Sequence, residues 1–156
     1  CSQCALPYMG AGSRIANVSS VAAISPSPFR ALYNSTKAGV LMLSASMRME
    51  TKPFGVDIVA LCLGDIATDF ANHREKYTAT NERYGDAVAA VDRFVEHWGN
   101  EKKMPLDKAA EGICRILAKS KTGYRHIIGG KYKFFNLINT LFPNTIMRIV
   151  YSFCRK

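Results

Sequence analysis

The fold is decided by the stretch Arg14-Ile15-Ala16-Asn17-Val18-Ser19-Ser20, a short, largely apolar run that ends on two hydroxyl side chains. Such a run is typical of a buried strand. A second apolar run, from Val56 to Cys62, predicts another buried strand. Between them, residues 31–52 carry apolar side chains at helical spacing and predict a long helix that stops at Pro53. Because open α/β sheets bind ligands at the carboxyl ends of their strands, we expect Ser20 to lie at a binding edge.

The start of the long helix carries a second chemical feature, the segment Tyr33-Asn34-Ser35-Thr36-Lys37. Positions four residues apart share a helix face, so the Tyr33 phenol and the Lys37 ammonium are expected to point into the same space. A cation beside a phenol favours the phenolate, and such a phenol can give or take a proton. The alternative is an interface tyrosine beside a solvated lysine, since a Tyr and a Lys at this spacing often occur by chance.

Taken together, these motifs resemble the short-chain dehydrogenase/reductase family. The matching features are Asn17-Val18-Ser19-Ser20, Tyr33 with Lys37 and the following Ala38-Gly39, and the segment Leu63-Gly64-Asp65-Ile66-Ala67-Thr68. That segment is similar to the family's Pro-Gly-x-[Val/Ile]-x-Thr, with Leu63 in place of the proline. The steroid- and retinol-dehydrogenase-like branch is the closest match.

The resemblance implies an NAD(P)-dependent oxidoreductase that interconverts a hydrophobic alcohol and its ketone or aldehyde. It implies that Ser20 orients the substrate oxygen and that Tyr33 exchanges the proton. Lys37 would hold the cofactor ribose beside Tyr33, while Gly64, Ile66 and Thr68 would hold the nicotinamide end. The expected cofactor is NADP or NAD, with NADP slightly favoured. Homo-oligomerisation is a further expectation by resemblance.

The glycine-rich phosphate loop of such enzymes is absent from these 156 residues, since Gly10-Ala11-Gly12 precedes a strand instead of opening a helix. We therefore expect an α/β fold that is the carboxyl half of a doubly wound Rossmann-type parallel sheet with flanking helices. Residues 1–130 would form this catalytic half, with a substrate lid at 69–100, and residues 131–156 a basic amphipathic helical tail. The strand ending at Ser20 would then be an unpaired edge, prone to association, and the chain would fold poorly and be inactive alone.

Two more elements are expected before the tail. Residues 106–119 predict a helix with Asp107 as its N-cap. Residues 125–130, which read Arg125-His126-Ile127-Ile128-Gly129-Gly130, predict the last short strand and its turn.

The net charge of +9 lies in the carboxyl-terminal part of the chain. Residues 1–111 contain 12 basic and 12 acidic side chains, whereas residues 112–156 contain nine basic and none acidic. Residues 131–156 also have apolar side chains at helical spacing on both sides of Pro143, which predicts two amphipathic helices. Contact with a membrane surface and packing of the apolar face on the domain or on a second copy are both open. No uninterrupted apolar run approaches the ~18 residues of a membrane span.

The remaining residues restrict the function further. The five cysteines and three histidines include no set with metal-ligand spacing, so we expect no metal and a reducing compartment. No recognised nucleic-acid module accompanies the basic tail, so no nucleic-acid partner is expected. The expected location is cytoplasmic, with peripheral membrane contact as the alternative. The competing function is a non-catalytic binding or scaffold protein that keeps the fold.

Overall fold

Three parallel strands form the sheet in the part of the chain that a computed structural model describes, residues 1–69, 73, 84, 87–91, 93 and 103–154. The strands are β1 (Arg14–Ser20), β2 (Asp57–Leu63) and β3 (Arg125–Ile128), in the order β1-β2-β3. β1 pairs with β2 from Arg14 opposite Asp57 to Ser20 opposite Leu63, and β2 pairs with β3 along its second half. The predicted parallel α/β architecture is confirmed.

The core lies between β2 and the long helix α2 (Ala31–Thr51), because β2 has a continuous run of buried side chains from Ile58 to Cys62. Such runs are typical of central parallel strands, which are covered on both faces. From α2, Ser44, Met47 and Thr51 are buried against them. After α2, Gly55 adopts a left-handed conformation with φ of 71°, which ends the helical segment.

β1 lies at the edge of the described sheet, as expected, and its Val18 side chain is 53% exposed. Two side chains of β1 nevertheless point at α2. The Asn17 amide donates to Ser44 Oγ (3.0 Å), and the Ser19 hydroxyl donates to the Lys37 carbonyl (2.8 Å). These bonds fix the position of α2 along β1, and with it the position of the residues near Lys37. The short helix α1 (Ser2–Ala5) also reaches β1, where the Ser2 hydroxyl donates to Asn17 Oδ1 (3.2 Å).

An ionic cluster around Asp57 closes the amino end of the sheet. The Asp57 carboxylate accepts from Arg14 Nε (2.8 Å), forms an ion pair with Arg48 of α2, and accepts from the Thr122 hydroxyl (2.8 Å). Arg14 also donates to the Leu117 carbonyl and to the Lys119 carbonyl (2.9 Å), at the end of helix α3 (Leu106–Leu117). A guanidinium suits this position because the last carbonyls of a helix have no partners within it. The cluster thus joins β1, β2, α2 and α3.

The prediction that Asp107 caps α3 is wrong, because Pro105 occupies the N-cap position and Asp107 lies in the first turn. Pro105 has φ of −55° and ψ of 145°, so its fixed φ suits the extended residue before the helix. The Asp107 carboxylate still lies near the helix amino terminus, where negative charge is favoured.

The carboxyl-terminal segment forms two helices, α4 (Gly130–Leu141) and α5 (Pro143–Cys154), which pack against each other. Pro143 is the first residue of α5, where its missing N–H costs no hydrogen bond. α4 is held on the domain by the Asn139 amide, which donates to the Ile24 carbonyl (2.7 Å). No described helix is both long and apolar enough to cross a membrane.

Candidate functional site

The candidate site lies where the carboxyl ends of the strands meet, as the sequence predicts for Ser20. Its hydroxyl accepts from the Ala22 N–H (3.2 Å) and lies 3.5 Å from the Leu63 carbonyl at the end of β2. The first bond caps the 3-10 turn Val21–Ala23. Ser20 is half-buried, so its hydroxyl is held by the local backbone at the edge of the sheet.

Lys37 connects Tyr33 with the end of β1. The Lys37 ammonium lies 5.9 Å from the centroid of the Tyr33 ring and 3.5 Å from the carbonyl of Val18, two residues before Ser20. Both Tyr33 and Lys37 are half-buried, on one face of the first turns of α2. The expected sharing of a helix face is therefore observed, and the structure brings all three predicted catalytic residues to the same end of the sheet.

The loop before α2 contributes an aromatic wall. Phe29 has φ of 56°, a left-handed conformation that bulky residues rarely adopt, and its ring meets that of Tyr84 edge-to-face at 5.5 Å. Tyr84 belongs to the predicted lid at 69–100, most of which lies outside the described residues. The next loop contact is made by Asn34, whose amide donates to the Ser27 carbonyl (3.2 Å). Its Oδ1 atom is buried without a hydrogen-bond partner in the described structure.

The segment from Gly64 to Thr68 continues β2 beyond the sheet. The Gly64 N–H donates to the Ile128 carbonyl (3.1 Å), and Thr68 N–H donates to the Ile66 carbonyl (2.9 Å), which makes a tight turn. The Met104 backbone bonds to the residues on either side of Ile66. Its N–H donates to the Asp65 carbonyl, and its carbonyl accepts from the Ala67 N–H. Because these bonds fix the segment from both sides, the exposed Thr68 side chain has a defined position beside the strand ends.

A contact that the sequence did not predict holds the same segment from the tail. The Tyr132 hydroxyl of α4 donates to the Asp65 carboxylate, which also pairs with the Lys131 ammonium (3.5 Å). A Cβ atom at Gly64 would collide with the Tyr132 ring and lie 3.1 Å from the Ile128 carbonyl. Burial, the hydrogen bond and the nearby Asp65 charge raise the pKa of Tyr132 well above its usual range. Only glycine lets the ring approach this closely.

An open cleft adjoins the Gly64–Thr68 segment and is lined by Ala67, Thr68, Asp69, Lys103 and Leu106. Lys103 and Leu106 belong to no recognisable motif, so no local pattern could have predicted their place at this cleft. Another cleft lies at the opposite end of the sheet, around Asp57, where the polar groups are already bonded to one another. Within the described ranges, no cluster of three or more His, Cys, Asp or Glu side chains could hold a metal ion.

The residues present fit the nicotinamide end of a dinucleotide. Lys37 offers a half-buried ammonium and Thr68 an exposed hydroxyl, whereas the Gly64 N–H is already bonded to the Ile128 carbonyl. These donors lie at the ligand-binding edge of a parallel sheet. Such groups can form hydrogen bonds with the ribose hydroxyls and the carboxamide of a nicotinamide riboside.

Comparison with known proteins identifies the class to which this chain belongs. The family model for short chain dehydrogenases matches residues 1–79, which include Ser20, Tyr33, Lys37 and the Gly64–Thr68 segment. The chain belongs to the short-chain dehydrogenase/reductase family.

Curated relatives agree with this assignment. A 3-ketodihydrosphingosine reductase of Bacteroides thetaiotaomicron is 28% identical over 128 residues, which cover 80% of this chain and 47% of the relative. An NADPH-dependent 1-acyldihydroxyacetone phosphate reductase of Saccharomyces cerevisiae is 26% identical over 102 residues, covering 65% of this chain and 34% of the relative. The chain spans about half the length, or less, of these relatives. Neither name refers to a steroid or a retinol, so the branch suggested by the sequence stays a prediction.

Solved structures show the same fold. A short-chain dehydrogenase from Streptomyces avermitilis superposes with a TM-score of 0.67 at 23% identity, over 91% of this chain and 51% of the other. A short chain dehydrogenase from Burkholderia cenocepacia, solved in complex with NADP, gives a TM-score of 0.61 at 19% identity, over 85% of this chain and 50% of the other.

Proposed function

We propose that the protein is an NADP-dependent reductase of a lipid-like ketone. The observation that carries the proposal is the position of Lys37, whose ammonium lies beside the Tyr33 ring and the last residues of β1. This arrangement places a cation next to a phenol at the ligand-binding edge of a parallel sheet. It lies within the part of the chain that the family model matches.

Each residue then has a defined task. Ser20 donates its hydroxyl hydrogen to the substrate oxygen, which polarises the carbonyl, while its bond from Ala22 keeps the oxygen atom in place. Tyr33 gives its phenolic proton to the same oxygen as general acid. Lys37 stabilises the phenolate left on Tyr33 and binds ribose hydroxyls, and Gly64, Ile66 and Thr68 hold the nicotinamide end. When bound, the reduced nicotinamide supplies the hydride.

Two observations support the choice of substrate and cofactor. The curated relatives include reductases whose names specify a ketosphingosine and an acylated ketone phosphate, and one of them is named as NADPH-dependent. The aromatic pair Phe29–Tyr84 stands beside the helix that carries Tyr33 and suits an apolar chain. The substrate class is therefore a ketone on a long apolar chain.

The test is reduction of 3-ketodihydrosphingosine by the complete protein, followed through the loss of absorbance of NADPH, with NADH in parallel. Tyr33→Phe should lower kcat by roughly 100- to 10,000-fold, because proton transfer contributes rate factors of that size, and should leave NADPH binding intact. The matched control is Tyr8→Phe, since the Tyr8 side chain is 91% exposed.

A Tyr33→Phe protein with normal turnover would overturn the mechanism. Binding of NADPH without reduction of any long-chain ketone would instead favour the non-catalytic binding protein. Reduction of ketones with NADH at the same efficiency would contradict the proposed cofactor preference alone.

A further inference from the structure

Helix α4 buries only part of its apolar surface, because Phe135 and Ile138 are half-buried while a second set of apolar side chains faces solvent. Tyr132, Asn136 and Asn139 share one face, and Tyr132 and Asn139 form the hydrogen bonds that hold the helix to Asp65 and Ile24. On the opposite face, the exposed fractions are 66% for Phe134, 55% for Leu137 and 62% for Leu141. Phe142, Met147 and Tyr151 extend this exposed apolar surface onto α5.

A helix on a domain usually buries its whole apolar stripe, whereas α4 leaves three large apolar side chains exposed. Exposed apolar surface of this kind marks an interaction site. The hydrogen bonds of Tyr132 and Asn139 hold α4 in the orientation that leaves Phe134 and Leu137 outward. The outward face is thus fixed by the fold itself.

The charge around this apolar face identifies its partner. Lys131, Lys133 and Arg148 are exposed on the same two helices, and residues 112–156 contain no acidic side chain. In a two-fold contact between two copies of this face, the cations of one copy would lie opposite the same cations of the other. Residues 112–156 supply no acidic side chain to offset that repulsion. An anionic lipid surface offers both an apolar interior and a negative charge.

We propose that α4 and α5 form a membrane-docking surface for anionic lipids, with Phe134, Leu137 and Leu141 entering the interface. Lys133 and Arg148 then lie at the level of the head groups. Because α4 contacts Asp65 on its inner face, the docked protein holds the strand-end site close to the lipid surface. A substrate with a long apolar chain could pass to the site without crossing water.

The experiment measures flotation of the complete protein with two kinds of vesicle, phosphatidylcholine alone and phosphatidylcholine mixed with phosphatidylglycerol. The expected result is binding to the mixed vesicles that weakens as salt is added. Phe134→Ser combined with Leu137→Ser should weaken binding by roughly tenfold or more, because two apolar side chains no longer enter the interface. Lys133→Glu should weaken it by roughly fivefold or more.

Matched controls separate docking from misfolding. Met49→Ser removes an apolar side chain that is equally exposed on α2, and Lys52→Glu reverses an exposed charge after that helix. Both controls should bind as the parent does, and the melting temperature of every variant should stay within a few degrees of the parent.

Equal binding to both kinds of vesicle, or to neither, would overturn the proposal. So would dissociation of a homo-oligomer by the Phe134 and Leu137 changes, which would show that a second copy covers the face. None of these readouts depends on turnover, so they stand apart from the test of reductase activity.

Discussion

The Tyr132 hydroxyl donates its hydrogen to the Asp65 carboxylate, and this bond ties the helix after the last strand to the segment proposed to hold nicotinamide. Asp65 lies between Gly64, against which the Tyr132 ring packs, and Ile66, whose neighbours pair with Met104. The bond therefore connects three elements that meet beyond the carboxyl ends of β2 and β3. Loss of this bond should lower both the free energy of unfolding and the affinity for the cofactor.

Replacing Tyr132 by Phe keeps the ring and removes the hydrogen bond. We expect the free energy of unfolding to fall by about 1 kcal/mol near neutral pH, because the lost bond goes to a half-exposed carboxylate. We also expect weaker NADPH binding, since the Asp65 backbone is no longer held. Thermal denaturation and a cofactor titration measure the two effects, and Tyr8→Phe is the control.

The same variant should change the dependence of stability on alkaline pH. Because the pKa of Tyr132 is raised in the folded state, folded protein keeps this proton above the ordinary value of about 10, whereas unfolded protein loses it. The stabilisation is thus complete below about pH 10 and is lost as pH rises further. The melting temperature of the parent should fall more steeply than that of Tyr132→Phe as pH rises above about 10. Parallel curves would contradict the assigned shift.

Gly64→Ala should be destabilising by about 1 to 3 kcal/mol, because the new methyl group collides with the Tyr132 ring. Combining it with Tyr132→Ala should cost less than the sum of the two single changes, since the ring that causes the collision is gone. Denaturant unfolding measures all three variants. The control is Gly112→Ala, where a Cβ meets no atom within 4 Å inside α3 and Ala should be neutral or stabilising. Additive costs at Gly64 and Tyr132 would disprove the contact.

Cys62 and Cys114 should differ sharply in reactivity toward a thiol reagent. Cys62 lies in the middle of the core, and burial raises the pKa of its thiol, so little nucleophilic thiolate is present near neutral pH. Cys114 is exposed on α3. In the folded protein Cys114 should react promptly, and Cys62 only after denaturant is added. Because Cys1 and Cys4 are exposed as well, the Cys114→Ser and Cys62→Ser variants together assign the two signals, and prompt labelling of Cys62 would show that the core opens readily.

Asp57→Asn should lower the free energy of unfolding by about 2 to 3 kcal/mol, because Arg14 and Arg48 lose the charge that both of them face. The loss is smaller than for a fully buried ion pair because all three side chains are partly exposed. Glu111→Gln is the control, since its pair with Arg115 is exposed on one helix face and should contribute at most about 0.5 kcal/mol. Equal effects in the two variants would show that the Asp57 cluster is no more than a surface ion pair.

The sheet and the long helix were predictable because the patterns that indicate them lie within short stretches of the sequence. The apolar runs predicted strands over 14–19 and 56–62. The observed strand Arg14–Ser20 is one residue longer at its carboxyl end, and Asp57–Leu63 is shifted by one residue at both ends. The predicted end of α2 at Pro53 is also close, because proline and Gly55 act on the backbone directly. The spacing of Tyr33 and Lys37 placed them on one face for the same reason.

The contacts of the tail could not be predicted because they join residues far apart in the sequence. Tyr132 and Asp65 are 67 positions apart, and nothing in either local pattern indicates the other. Apolar periodicity in residues 131–156 suggested that one possible arrangement buries the apolar face on the domain. In the structure Phe135 and Ile138 are half-buried and Phe134 and Leu141 are exposed, and the hydrogen bond of Asn139 to Ile24 helps to hold α4 in this orientation.

The ionic cluster at the amino end of the sheet has a consequence for how the chain folds. Arg14 donates to the carbonyl of Lys119, 105 positions later, so β1 acquires its final partners only when the residues after α3 are available. Contacts of such long range slow folding, because a large loop must close before they form. During translation, β1 would leave the ribosome well before the carbonyl groups that Arg14 binds. We therefore expect β1 to be most vulnerable to aggregation before the residues after α3 are synthesised, when holding chaperones would protect it.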